Sequence, residues 1–192
     1  MASNGDRLHG SVPDRSPTAL LVLDMFSDFD FAHGARAARL AVPVARRIAS
    51  LKARLQGRRV PCIYVNDNLG RWRSRFDEVV RHTAASRGAP VAALLRPRTG
   101  DYCLLKPKHS AFFATPLDTV LQALGARRLV LTGTTTPQCI LFTAMDAYVR
   151  EYELAVPRDC VVALSQREQR VALYFLQHIL GARICESRLL RP

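Results

Sequence analysis

Lysine is nearly missing from this 192-residue chain: of 28 basic residues, only Lys52, Lys106 and Lys108 are not arginine. Long apolar runs are missing too. The longest near the start, Ala19 to Leu23, falls far short of the ~20 residues that cross a bilayer, so no membrane span is expected. The first seventeen residues, MASNGDRLHGSVPDRSP, have no apolar segment of the kind a secretory signal needs, and they read as a flexible N-terminal tail before a single domain spanning 18–192. Five cysteines form an odd set in a chain too long to need staples, which excludes a disulfide framework and points to a reduced, cytoplasmic protein. No GxGxxG follows a strand and no GK[ST] occurs, so dinucleotide and P-loop readings lack their support. The histidines at 9, 33, 82, 109 and 178 show no ligand spacing; each is expected at the surface or as a satisfied polar group, and neither metal nor cofactor is expected.

What is there is an ordinary globular composition, 48% hydrophobic, with a formal net charge of +12. The charge does not single out nucleic acid: the arginines are spread over every segment, without aromatic interleaving or a finger or RNP pattern. Only residues 31–66, with eight basic residues and no acid, could steer anions. Against an arginine background a lysine marks a place where arginine does not serve, because lysine is a point charge that can shift its pKa when buried.

Periodicity predicts alternating strands and helices: strands at 18–24, 60–66, 102–105, 128–132, 154–156 and 182–187, and helices at 43–55, 71–86, 116–124, 137–151 and 166–180. The helix at 43–55 is expected to start at Pro43, and Gly88 with Pro90 is read as a break. Six strands joined by helices call for a doubly wound α/β fold, a parallel sheet covered on both sides. In such folds ligands bind at the carboxyl ends of the strands, which leaves Asp24, Asn66, Asp67, Lys106, the run Gly133–Cys139 and Asp159 for scrutiny.

The run GTTTPQC is the most informative. Thr136 suits an N-cap and Pro137 the first helical position, so Cys139 falls in a first helical turn, where free N–H groups and the helix dipole favour a thiolate. The same N–H groups suit an oxyanion. The competing reading makes Cys139 a small buried hydrophobe, as Cys62, Cys103 and Cys160 are expected to be. Asp24, after four apolar residues, needs a partner or a task, or it caps the next segment; Lys106 poses the same question after CLL, with Lys108 as its rival. Together they would supply a base, a cation and a nucleophile.

These residues resemble the isochorismatase-like cysteine hydrolases, the superfamily of nicotinamidases and N-carbamoylsarcosine amidases. The likeness spans about 18–187 and rests on LLVLDMFSDF at 20–29, LLKPKHSAF at 104–112, LVLTGTTTPQCILFTAMDA at 129–147 and RDC at 158–160. It implies a three-layer α/β/α sandwich around a six-stranded parallel sheet and an Asp24, Lys106, Cys139 triad. It further implies a cis peptide between Thr134 and Thr135 and an oxyanion hole from the Thr135 and Cys139 amides. The implied activity is cleavage of a small amide or other C–N bond through a Cys139 thioester, in a homodimer or larger assembly acting on a small-molecule substrate. Two alternatives stand beside it: vinyl-ether hydrolysis of an isochorismate-like anion, and a catalytically silent binding or scaffold protein.

The chain departs from the family pattern in places. Phe26 and Ser27 stand where Gln and Asn are usual, and Pro137 replaces an acid. After the second strand YVNDNLGRW offers Asp67 but no histidine, so the metal site of nicotinamidases lacks its ligands. That element is expected either to line the pocket with Asn66, Asn68 and Trp72 or to be a turn. Phe26, Phe29, Phe31 and Phe112 are candidate pocket walls or core.

Overall fold

In a computed structural model, which describes residues 14–70, 72 and 75–191, the chain folds into one parallel sheet with helices on both faces. The strands are β1 (Thr18–Leu23), β2 (Cys62–Asp67), β3 (Tyr102–Lys106), β4 (Arg128–Thr134), β5 (Glu153–Pro157), β6 (Val161–Val162) and β7 (Arg183–Cys185). The helices are α1 (Gly34–Gln56), α2 (Phe76–Ala84), α3 (Ala89–Leu95), α4 (Leu117–Leu124), α5 (Leu141–Tyr148) and α6 (Gln166–His178). Strand order is β3-β2-β1-β4-β5-β7, with β6 paired to β4. The order reverses between β1 and β4, so their carboxyl ends diverge into a crevice.

β1 (TALLVL) is buried throughout, as expected of a strand covered on both faces. Its side chains alternate: Leu20 and Val22 join a core under α1, α2 and α3, whereas Leu21 and Leu23 join a second core under α4, α5 and α6. The sheet has seven strands rather than six. β5 runs beside Arg128–Val130 only; a single turn at Arg158–Cys160 then returns the chain, and β6 continues the pairing beside Gly133 and Thr134. Gly133 is required there: at φ 121° it lies so close to β1 that a Cβ would stand 1.9 Å from the Leu23 carbonyl oxygen.

α1 starts nine residues before the expected Pro43. Its buried stripe, Ala41, Val44, Ala45, Ile48, Leu51 and Leu55, runs through the proline, which lies on the exposed face, where water can reach the Arg39 carbonyl that the missing N–H leaves free. Gly34 opens the helix because a Cβ there would meet the Phe29 carbonyl oxygen at 2.0 Å. Truncating Ile48 to Ala would cost about 2–5 kcal/mol.

Three other expectations change. The supposed break at Gly88 and Pro90 is the start of α3, with Pro90 in the first turn where its missing donor costs nothing. The helix expected from 71 is α2, beginning at Phe76; residues 71, 73 and 74 lie outside the described residues. The helix expected over 137–151 is a π-turn, Thr136–Ile140, followed by α5.

Residues 1–13 of the expected tail, His9 among them, lie outside the described residues. Its last four are tied down: the Ser16 amide donates to the Leu124 carbonyl at 2.9 Å, and the Arg127 and Arg128 amides donate to Pro17. The five cysteines are free; Cys62 and Cys160 are core, but Cys103 is exposed, because edge strand β3 leaves one side open. Among the described residues no helix is long and apolar enough to cross a membrane.

Candidate active site

Asp24, Lys106 and Cys139 converge at the carboxyl ends of β1, β3 and β4. Asp24 sits just past β1 with φ 47°, its amide donating to the Val65 carbonyl and its Oδ1 accepting from the Asp67 amide at 2.6 Å. These bonds hold the carboxylate at the rim, with Oδ2 2.6 Å from Lys106 Nζ. Lys106 and Cys139 are the groups that face the Asp24 carboxylate at Oδ2, which among the described residues has no further partner. Lys106 is fully buried, and its Nζ donates to the Lys108 carbonyl at 2.9 Å and to Cys139 Sγ at 3.5 Å. Lys108 itself is exposed and contributes only that carbonyl, so the rivalry between the two lysines ends with Lys106 at the site.

The electrostatics follow from burial. Burial raises the Asp24 carboxyl above its ordinary value, against the pull of the Lys106 charge. Burial is the largest influence on the Lys106 ammonium and works to lower it, but the Asp24 charge, joined by Cys139 and Asp67, outweighs it and the net direction is upward. The Cys139 thiol is pushed up to about 12, first by burial and then by the Asp24 charge, with Lys106 opposing. The setting differs from the expected helix start: the sulfur sits in a buried π-turn beside a carboxylate, and both burial and that charge favour the thiol over the thiolate.

The peptide between Thr134 and Thr135 is cis. The Thr135 carbonyl takes the amides of Gln138 and Ile140, at 3.1 and 3.3 Å, while the Thr135 amide has no hydrogen-bond partner among the described residues. Thr134 Oγ1 donates to the Asp24 carbonyl at 2.6 Å and ties the β1 and β4 ends together.

Over the triad opens a cavity of about 300 Å³, whose lining includes Asp24 and Cys139. Its walls are largely apolar: Phe26, Phe29, Phe31, Leu40, Leu69 and Val162. Phe26 is held by edge and tilted packing against Phe76 and Tyr64. Asn66 also lines the cavity, but its amide is consumed in two 2.9 Å bonds to the Phe26 backbone.

Three expected pocket residues lie elsewhere. Asn68 is buried but serves a turn, accepting from the Gly70 amide and donating its own amide to the Lys106 carbonyl. Trp72 is 77% exposed and does not line the cavity. Phe112 belongs to the core under α4 and α5, beside Tyr152 and beneath the Arg150 guanidinium. Asp159 is likewise structural, holding the Ser187 amide and hydroxyl.

Sequence reasoning missed two things. His109 lines the cavity, with Nδ1 3.8 Å from Cys139 Sγ and its ring 5.3 Å from that of Phe142. Its place three residues past Lys106, in a loop bound to carry the chain over the site, was the available signal. Ala37 and Leu40 were missed with the first turns of α1. Among the described residues no three of His, Cys, Asp and Glu gather as metal ligands, so the donors after β2 do not fit a nicotinamidase-type metal.

A model of the isochorismatase domain matches residues 18–187. The protein belongs to the isochorismatase family. The uncharacterized isochorismatase family protein YaaI of Bacillus subtilis (strain 168) is 35% identical over 170 residues, covering 88% of this chain and 94% of that protein. Among solved structures, the N-carbamoylsarcosine amidase of Thermoplasma acidophilum is similar with a TM-score of 0.71 and 25% identity, over 92% of this chain and all of that one. The nicotinamidase SaPncA of Staphylococcus aureus shares the fold, with a TM-score of 0.64 and 22% identity, over 88% and 98%. The site thus sits in a fold of the isochorismatase family.

Proposed function

We propose that this isochorismatase-family protein is a cysteine hydrolase that cleaves a small amide or related C–N bond through a thioester on Cys139. The observation that carries the reading is the meeting of Lys106 Nζ with both Asp24 Oδ2 and Cys139 Sγ, at 2.6 and 3.5 Å, beneath a small-molecule cavity. The likeness to an N-carbamoylsarcosine amidase supports the same reaction class.

Because the thiol is protonated at rest, deprotonation and attack are coupled. Asp24, made more basic by burial, takes the Cys139 proton as the sulfur adds to the carbonyl carbon. The Lys106 ammonium then faces a charge that has moved from carboxylate to substrate oxygen, and the Thr135 and Cys139 amides receive that oxygen. The C–N bond breaks, the amine leaves with the proton held by Asp24, and a thioester remains. Water, surrendering a proton to Asp24, adds to the thioester and releases the acid and the thiol. Lys106 must be lysine here, since a planar guanidinium cannot occupy a buried point between carboxylate and sulfur.

The test is ammonia release from a panel of small amides and carbamoyl compounds, with Cys139→Ala as control and mass spectrometry of the acylated enzyme after rapid quench. Turnover that survives in Cys139→Ala would overturn the reading.

A further inference from the structure

We infer that the substrate of this site is a small, uncharged amide with an apolar acyl group, and that anionic amides are rejected. The inference rests on the proposed amide hydrolysis and comes from an inventory of the cavity wall. The chain carries 25 arginines, yet among the described residues not one lines the cavity. Lys106, the cation beneath it, is already paired with Asp24 and capped by the Lys108 carbonyl. A carboxylate on the substrate would find no free cation and would face Asp67 as well as Asp24 on the lining.

Most polar side chains of the wall are committed: Thr135 Oγ1 donates to Gln138 Oε1 at 3.1 Å, and among the described residues only the Gln138 side-chain nitrogen and His109, which meets Cys139 Sγ alone, are left open at one side of the cavity. Asn66 bonds the Phe26 backbone, Ser27 Oγ accepts from the Phe29 amide at 3.0 Å, Thr134 bonds the Asp24 carbonyl, and Asp67 Oδ1 accepts from the Leu69 amide. A polar substituent directed away from His109 and Gln138 would lose its water without finding partners, whereas apolar carbons would meet Phe29, Leu40 and Val162. At about 300 Å³ the cavity lies at the small end of ligand sites, which suits a branched four- or five-carbon or single-ring acyl group. Phe26 is part of the same apolar wall.

The experiment compares kcat/KM for isovaleramide and benzamide with that for succinamate, a similar-sized amide bearing a carboxylate. A preference of about 10²-fold or more for the neutral amides is expected. Leu40→Arg, half-buried on the α1 wall, should reverse the ranking by about tenfold or more. Calorimetry with Cys139→Ala reads the cavity without the chemistry. If no amide turns over but this variant binds benzamide in preference to succinamate, the cavity inference stands and the reaction assignment falls. If succinamate is hydrolysed or bound as well as benzamide, the inference is overturned while amide hydrolysis survives.

Discussion

Two of the three lysines are buried, and each is paired with an aspartate from a distant part of the chain, yet the two pairs are built in opposite ways. Lys52, on α1, meets Asp101, and every polar atom there is used: Lys52 also donates to the Tyr64 hydroxyl at 3.0 Å, and Asp101 accepts from Gln56 and from the Arg98 amide. Lys106 meets Asp24 at 2.6 Å, but Asp24 Oδ2 has no further partner among the described residues and a cysteine stands beside the pair. A closed pair fixes structure. A pair left with one open lone pair, facing a thiol and a cavity, is equipped to accept a proton.

The difference breaks most sharply on activity. Cys139→Ala and Asp24→Asn should each lower kcat by about 10⁴-fold or more, since members of such a unit fail together. Lys106→Arg should lose most of that even with its charge kept. Lys52→Met should leave kcat/KM per folded molecule nearly unchanged; an activity loss like that of Asp24→Asn would erase the distinction between the pairs.

Stability should show the reverse order. Lys52→Met strands the fully buried Asp101 carboxylate with no countercharge, at a cost of about 3–5 kcal/mol in chemical denaturation. Lys106→Met should cost less, because the Asp24 carboxyl, already raised by burial, can take up a proton instead. Equal losses from the two substitutions would show that both pairs are structural.

The same contrast explains what the sequence could reveal. Asp24, Lys106 and Cys139 were legible because each ends or closely follows a strand, and strand ends in a parallel sheet share one rim. The pocket wall was legible only in part. Asn66 lies at the end of β2 and Phe26 and Phe29 come soon after β1, but Ala37 and Leu40 reach the cavity through an α1 that continues through Pro43, where local proline chemistry lost to the apolar stripe on either side. Phe112 and Asn68 misled because an aromatic or amide near a strand end serves core or turn equally well, and which face it takes is decided by the return path of the chain. The closed pair was not foreseen, since nothing local links position 52 to position 101.

His109 tests how self-sufficient the open pair is. It lies 3.8 Å from Cys139 Sγ but is exposed, and Asp24 already provides a proton acceptor at the sulfur. His109→Phe should therefore lower kcat by less than the ~10²-fold that removal of a general acid or base costs at minimum. A larger loss, with KM unchanged, would make the histidine a partner in proton transfer and Asp24 an incomplete base.

The smallest effect concerns the resting thiol. With its pKa pushed up to about 12 by burial and by Asp24, Cys139 should react with iodoacetamide at pH 8 at least about tenfold more slowly than a free peptide thiol, the lost thiolate fraction outweighing the greater nucleophilicity of a more basic sulfur. The rate should keep rising with pH past the ordinary thiol value instead of levelling there. The linked stability has a definite sign: because the folded-state pKa is raised, the contribution of the protonated thiol is fully present below the ordinary thiol pKa and is lost as pH climbs toward about 12. Asp24→Asn removes the neighbouring carboxylate charge, so alkylation should become faster even as turnover vanishes. A slower reaction in that variant would mean that Asp24 activates the thiol before substrate arrives, and the open pair would then hold a preformed thiolate.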